Sequence, residues 1–259
     1  MHPLAPTAVS RHPRAGLSLL EVLVAGGILA IGLASVSALL PAASARLGQA
    51  TEQDRAGILA ANARSECVNR GLVAADIFSS ATTACVFGEL AGLSGTGIAG
   101  ASAALAQRTG TSAFQLADDP AFRWGAMLAP ASGTAAAGLP ATLSIAVFRG
   151  APTISGTIRL TGGTSSPLFQ LASGDVIRDE ANRRRFLPAC SHVLTLTNPP
   201  RWVRVTSSWT MPRPLTSGTS FVVLDPNPLT SGTTVSGTTV TVIGFDGLLR
   251  VDHHPVTLD

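Results

Sequence analysis

The sequence predicts an α+β protein, with one long N-terminal helix followed by a mostly antiparallel β-sheet. The first observation is an uncharged apolar run, Val22 to Leu40, after which a helical pattern continues to about Val73. The second is that, from about residue 120 onward, segments rich in β-branched and aromatic residues alternate with Gly-, Ser-, Thr- and Pro-rich turns. Helix and strands are thus segregated along the chain, as in α+β folds.

The apolar run is long enough to cross a membrane, since a spanning helix needs about 20 residues. Arg11 and Arg14 precede it, and no basic residue follows it until Arg46. By the positive-inside rule, this asymmetry predicts a cytoplasmic N-terminus, with the rest of the chain on the other side.

Glu21 is an acid at the edge of this run, four positions after Leu17. A carboxylate in a membrane-spanning helix costs a few kcal/mol, so its presence there indicates a function. The surrounding string runs from Gly16 to Ala25 and reads GLSLLEVLVA.

This string resembles the prepilin cleavage and methylation motif of type IV pilin-like proteins. The resemblance implies that a prepilin peptidase cuts between Gly16 and Leu17 and methylates the new amine of Leu17. Glu21 then becomes the fifth mature residue. Leucine as first mature residue departs from the phenylalanine usual in the family. A buried charge is tolerable only if it is paired, and in a filament Glu21 can pair with the amine of a neighbouring subunit.

The resemblance also implies a role and a set of partners. The chain is expected to be a minor pilin of a type IV pilus or a pseudopilin of a type II secretion system, held first in the inner membrane and then in a filament. The implied partners are the prepilin peptidase, other pilin or pseudopilin subunits, the inner-membrane assembly platform and membrane lipid. The second half of the helix is expected to pack on the sheet.

Four alternatives compete with this interpretation. The helix is a plain membrane anchor, or it anchors an adhesin-like surface binding module. In the third, Ala43-Ser44-Ala45 is a signal-peptidase site, and a secreted chain begins at Arg46. The fourth is a secreted or anchored enzyme.

The predicted organisation has four parts. Residues 1–16 form the leader, 17–40 the membrane and assembly half of the helix, 41–73 its amphipathic half, and 74–259 a mainly β domain. Gly71 is predicted to stop the helix. The predicted buried face of the second half comprises Leu47, Ala50, Ile58, Ala61, Val68 and Leu72.

Strands are predicted at 121–128, 142–148, 153–160, 192–197, 202–209, 220–224, 233–245 and 248–252. Asp246-Gly247 separates the last two and favours a tight hairpin. Residues 79–113 are rich in small residues and predict a loop region. Trp124, Trp202 and Trp209 fall in strand segments, where packing against the helix is expected.

Composition excludes several classes of function. Every basic residue is arginine and tyrosine is absent, which removes Schiff-base lysines, phosphate-loop lysines and tyrosine acids. Without the leader arginines the chain is nearly neutral, so a nucleic-acid partner is not expected. No catalytic residue and no cofactor are predicted, and Arg183-Arg184-Arg185 is interpreted as a solvated face.

The cysteines and histidines predict a disulfide and no metal site. Cys67 and Cys85 are expected to pair in an oxidising compartment, which leaves Cys190 unpaired. His253 and His254 are adjacent, and neighbouring residues of a strand point to opposite sides, so both cannot readily bind one ion.

Overall fold

The structure is a computed structural model. It describes residues 18–78, 84–91, 121–131, 134–162, 168–171, 191–197, 199–211, 219–225 and 239–259. The chain divides into two compact units, Met1–Thr51 and Glu52–Asp259. The helix α1, Leu19–Asn69, runs through the boundary, so the second unit begins inside the helix and not after it.

The predicted long helix is confirmed, and Gly71 ends it as expected. Gly71 has φ of 64°, a left-handed conformation that glycine adopts without a Cβ clash. The N–H of Gly71 donates to the carbonyl of Val68 at 2.9 Å, and the N–H of Leu72 donates to the carbonyl of Cys67 at 2.8 Å. These two bonds are a Schellman motif, which satisfies carbonyls left free at a helix end.

The described strands form one antiparallel sheet. They are β1 Cys85–Gly88, β2 Phe122–Pro130, β3 Pro140–Gly162, β4 Leu168–Leu171, β5 His192–Thr195, β6 Arg201–Met211, β7 Thr219–Asp225 and β8 Thr239–Thr257. Their order is β1-β2-β3-β4-β7-β6-β5-β8, with a further pairing of β3 with β8. The predicted α+β class is therefore confirmed.

The loop region predicted at 79–113 is wrong at Cys85–Gly88, which form a strand. β1 lies within this range and pairs with β2 along its whole length. The rest of the range, apart from the residues directly flanking β1, lies outside the described part of the chain.

The extra pairing divides the sheet into an open part and a closed part. The first half of β3 lies between β2 and the second half of β8. Beyond this stretch, the strands form a closed ring. β3 pairs with β4, β4 with β7, β7 with β6, β6 with β5, β5 with β8, and β8 again with β3. This ring has no free edge among its described strands, and closure is one way in which β proteins protect their edges.

The hairpin predicted at Asp246-Gly247 is wrong. β8 passes through this dipeptide and stays paired with β3 on both sides of it. The register shifts here, and Gly150 and Gly247 both have φ of 74°. A Cβ on Gly247 would lie 2.6 Å from the carbonyl oxygen of Arg149. Asp-Gly correctly predicts a positive φ, but Gly247 adopts it at a register shift within the β3–β8 ladder and not in a hairpin turn.

The second half of α1 packs on the sheet, but through a different face from the predicted one. Its buried residues are Ala56, Leu59, Ala60, Ala63 and Cys67. Of the predicted face, Leu72 is buried just beyond the end of the helix, whereas Ile58 is 64% exposed and Val68 is 55% exposed. The buried stripe is mostly alanine, and small side chains let a helix lie close to a sheet of large ones.

The open part of the sheet is buried on both faces. Alternate residues of β2, including Trp124, join the cluster that contains the helix stripe. The residues between them, such as Met127, join a second cluster with Leu194 and Trp202. A third cluster of Val, Leu, Ile and Phe residues belongs to the closed part. Burial on both faces explains why β2 is apolar almost throughout.

Backbone bonds tie the last described residues to the end of the helix. The N–H of Asp259 donates to the carbonyl of Val73 at 3.1 Å, and the N–H of Ala75 donates to the carbonyl of Asp259 at 3.0 Å. Leu258 is 1% exposed and belongs to the cluster of the helix stripe. The turn after α1 and the end of β8 therefore form one bonded assembly.

The position of the buried helix face gives a stability prediction. Leu59→Ala should lower the free energy of unfolding by about 2–5 kcal/mol, because it leaves a cavity in the core. Ile58→Ala is the matched control one residue away, and it should change that free energy by no more than about 0.5 kcal/mol. Thermal unfolding of the detergent-solubilised chain, followed by near-UV circular dichroism, measures both. A larger loss for Ile58→Ala would contradict the observed face.

Candidate functional site

The start of α1 is capped by a serine that sequence inspection overlooked. The N–H of Glu21 donates to the Oγ of Ser18 at 3.2 Å, which places Ser18 at the N-cap and Glu21 at the third helical position. Ser-x-x-Glu is the sequence signature of a capping box. An acid in the first turn also interacts favourably with the helix dipole. Glu21 therefore has a local structural role besides any role in assembly.

The first half of α1 exposes its large apolar side chains on all sides. Leu19 is 84% exposed, Ile31 is 73% exposed and Leu40 is 63% exposed. By length and composition this helix could cross a membrane. Glu21 is the sole charged residue between Leu19 and Ala45. Gly16 and Leu17, the predicted cleavage residues, lie outside the described part of the chain.

Two serine hydroxyls in and just after this apolar half are bonded to backbone carbonyls of the helix itself. The Oγ of Ser35 donates to the carbonyl of Gly32 at 2.8 Å, and the Oγ of Ser44 donates to the carbonyl of Pro41 at 2.9 Å. The helix continues through Pro41, although proline has no N–H to donate within it. Internally bonded hydroxyls suit a helix in lipid, where no water is available as a partner.

Cys67 and Cys85 are both buried as reduced thiols in the structure. Both belong to the cluster that contains the helix stripe, and the Sγ of Cys85 donates to the carbonyl of Ile77 at 3.3 Å. Burial, with a smaller contribution from Glu66, raises the pKa of Cys67 to about 12. The predicted disulfide is not formed here, and it stays a prediction for the oxidised chain. Cys190 and Arg183-Arg184-Arg185 lie outside the described residues.

The adjacent histidines of β8 lie in different environments, as expected for neighbouring strand residues, whose side chains point to opposite faces. The Nδ1 of His253 lies 3.0 Å from the Oγ of Ser144. His254 lines a groove beside α1, together with Ala61 and Arg64. No group of three metal-binding side chains occurs within the described ranges. Desolvation of the ring lowers the pKa of His253, and Asp252 opposes this shift.

The tryptophans occupy different cores. Trp124 lies in the cluster of the helix stripe, as predicted. Trp202 is buried on the opposite face of the sheet, where its ring centroid is 5.4 Å from that of Phe245. It therefore does not pack on the helix. The side chain of Trp209 lies outside the described part of the chain. A cavity of about 310 Å³, here called the Trp202 cavity, is lined by Trp202, Ser144 and His253 among others.

Comparison with known proteins gives no match to a family model, to a curated protein or to a solved structure.

The buried thiols give a labelling prediction. At about pH 8, native Cys67 should resist iodoacetamide, because only a thiolate reacts and a pKa near 12 leaves almost none. After unfolding without reductant, a chain kept reduced until then should be alkylated at both Cys67 and Cys85, whereas a chain exposed to an oxidising compartment should be alkylated there only after reduction. Peptide mass spectrometry reads the result. Alkylation of both cysteines without reduction in the oxidised chain would contradict the predicted disulfide.

Proposed function

We propose that this chain is a structural pilin-like subunit, a minor pilin or pseudopilin, that is processed by a prepilin peptidase and assembles through its N-terminal helix. The proposal rests on one observation: the first half of α1 exposes large apolar side chains on every side and carries one charge, Glu21, at its start. Such a helix needs lipid or other helices around it, because water would face an entirely apolar surface.

The position of Glu21 supports assembly over simple anchoring. In a plain anchor the carboxylate serves only the cap of the helix, and the acid makes insertion less favourable. In a bundle of identical helices, the same carboxylate can pair with the amine of Leu17 from a neighbouring subunit. In this proposal the subunit waits in the inner membrane, with the second unit on the outer side. It then leaves the lipid through an inner-membrane assembly platform.

A second candidate is a membrane-anchored binding module, and the Trp202 cavity favours it. The two candidates are compatible, since a filament subunit can also carry a ligand site. Identification of the first residue of the mature chain distinguishes these candidates from a secreted protein. A methylated Leu17 supports assembly, and an intact Met1 supports a plain anchor. Arg46 as the first residue supports cleavage of a signal peptide.

Processing should depend on Gly16. In the motif, the residue before the cut has no side chain, so the backbone can lie close against the peptidase. Gly16→Trp should leave the precursor uncut, and immunoblotting of membranes resolves the two lengths. Gly26→Trp is a control of equal bulk within the apolar helix, where a Cβ meets no neighbour, and it should be cut. Normal maturation of Gly16→Trp would overturn the proposal.

Assembly should depend on the charge of Glu21 and not only on its helix cap. Glu21→Ala should still insert and be cleaved, but its incorporation into sheared filaments should fall about tenfold or more, as expected when a charged hydrogen-bond partner is lost. Glu21→Gln should fail equally, although glutamine can complete a capping box.

The control for this experiment is Ser18→Ala, which removes the cap and keeps the charge. It should assemble nearly as well as the wild type. Wild-type incorporation of Glu21→Gln, together with failure of Glu21→Ala, would assign Glu21 to capping alone and remove the charge-pairing mechanism.

A further inference from the structure

A groove of about 590 Å³, here called the α1–β8 groove, lies between the second half of α1 and the second half of β8. On the helix side it is lined by short side chains, Gly57, Ala61 and Ser65, and by Arg64 and Val68. Because these side chains are short, they leave space beside the strand. The groove lies wholly in the second unit.

Two charges on this part of α1 have no partner. Asp54 and Arg64 are both exposed, and neither makes an ion pair within the described part of the chain. Glu66, by contrast, pairs with Arg70 one turn further along the helix. The helix therefore presents one acid and one base that are available to a partner.

A large apolar side chain follows each of these charges by four residues. Ile58 follows Asp54, Val68 follows Arg64, and both apolar side chains are exposed. Residues four apart lie on the same face of a helix. α1 thus carries an acidic patch, Asp54 with Ile58, and a basic patch, Arg64 with Val68. A second α1 that lies parallel and is shifted by ten residues brings both pairs together at once.

The shift of ten residues also fixes the geometry of such a contact. Ten residues span about 15 Å along an α-helix and leave a net rotation of about 80° around it. The two patches therefore point in different directions, and one copy can offer each patch to a different neighbour. A contact between two different patches of one chain is heterologous, and heterologous contacts that do not close into a ring build filaments.

Charge on the groove side favours an incoming carboxylate. The carboxylate of Asp252 accepts from the Nε of Arg250 at 2.8 and 2.9 Å, so these two charges compensate each other. Desolvation, followed by the charge of Arg64, lowers the pKa of His254, which keeps its ring neutral at neutral pH. Among the described residues that line the groove, Arg64 is therefore the charge left to be balanced.

We propose that the α1–β8 groove receives the α1 helix of a second copy of this chain, parallel and shifted by ten residues. Asp54 of one copy then lies against Arg64 of the other, and Ile58 lies against Val68. This inference rests on the proposed filament role, which supplies parallel neighbours at a regular shift. It adds the residues of the contact and a shift of about 15 Å between the two copies.

The test is a zero-length cross-link. Since the chain has no lysine, Arg64→Lys introduces a single side-chain amine and keeps the positive charge. A carbodiimide joins this amine directly to a carboxylate in contact with it. In membranes and in sheared filaments, we expect a link from position 64 of one copy to Asp54 of another, seen as multimers on denaturing gels and assigned by peptide mass spectrometry. Within one helix the two positions are about 15 Å apart, so the link cannot form inside a single chain.

Two controls make the cross-link specific. Asp54→Asn, added to the Arg64→Lys chain, should abolish this link, because an amide does not couple to the amine. Arg204→Lys is the matched control for the position of the amine, since Arg204 is also exposed but lies on β6. It should give no link to Asp54.

Charge reversal tests whether the contact contributes to assembly. Asp54→Arg and Arg64→Asp each place like charges together at both contacts of every copy. Each should lower incorporation into sheared filaments about fivefold or more. The double variant restores opposite charges and should recover most of the loss. Asp225→Arg, an equal change of charge at an exposed position of β7, should assemble as the wild type does.

The possible failures are distinguishable. If filaments form but position 64 links to no second copy, or to a carboxylate other than Asp54, the contact is wrong and the proposed function stands. Wild-type incorporation of both single reversals would also overturn the contact. If the chain is absent from filaments, a link to Asp54 in membranes supports the contact alone, and its absence overturns both proposals.

Discussion

The ladder between β3 and β8 is the interaction on which both parts of the second unit depend. Its first stretch, from Pro140 paired with Thr257, joins the second half of β8 to the open sheet on which α1 packs. Its second stretch, which ends at Thr161 paired with Thr239, closes the ring of strands. One pair of long strands therefore supplies two different cores, and the shift in register near Gly150 and Gly247 separates them.

Much of this fold follows from local sequence patterns, and the departures have physical causes. The helix and its glycine stop were predictable, because both signals are local. The buried helix face was not, since hydrophobicity ranks Ile58 and Val68 above Ala60, whereas close contact with large strand residues requires small ones. Asp246-Gly247 signals positive φ correctly, but an interrupted ladder uses that conformation as readily as a hairpin does.

The two candidate sites differ in how far local sequence patterns predict them. The proposed processing residues Gly16 and Leu17 and the proposed assembly residue Glu21 lie within six positions of one another, so a motif is visible in the printed sequence. The capping signature of Ser18 and Glu21 is equally local. It lies inside the string that resembles the prepilin motif, and the string was interpreted only in that sense. The Trp202 cavity joins residues from β2, β3, β6 and β8. No spacing in the sequence announces such a site, because only the sheet pairing brings Ser144 beside His253.

The bonds between the end of β8 and the turn after α1 have a mechanical consequence. If the proposed filament role holds, the chain is pulled through its helix, and tension along the part of α1 in the second unit reaches Val73 and Ala75. Those residues are bonded to the backbone of Asp259, so part of the force passes directly into β8. β8 is bonded to β3 along nearly its whole length. As long as the two bonds at Asp259 hold, tension on the helix also loads the longest ladder in the described part of the molecule, so resistance to pulling is a property of the sheet as well as of the helix.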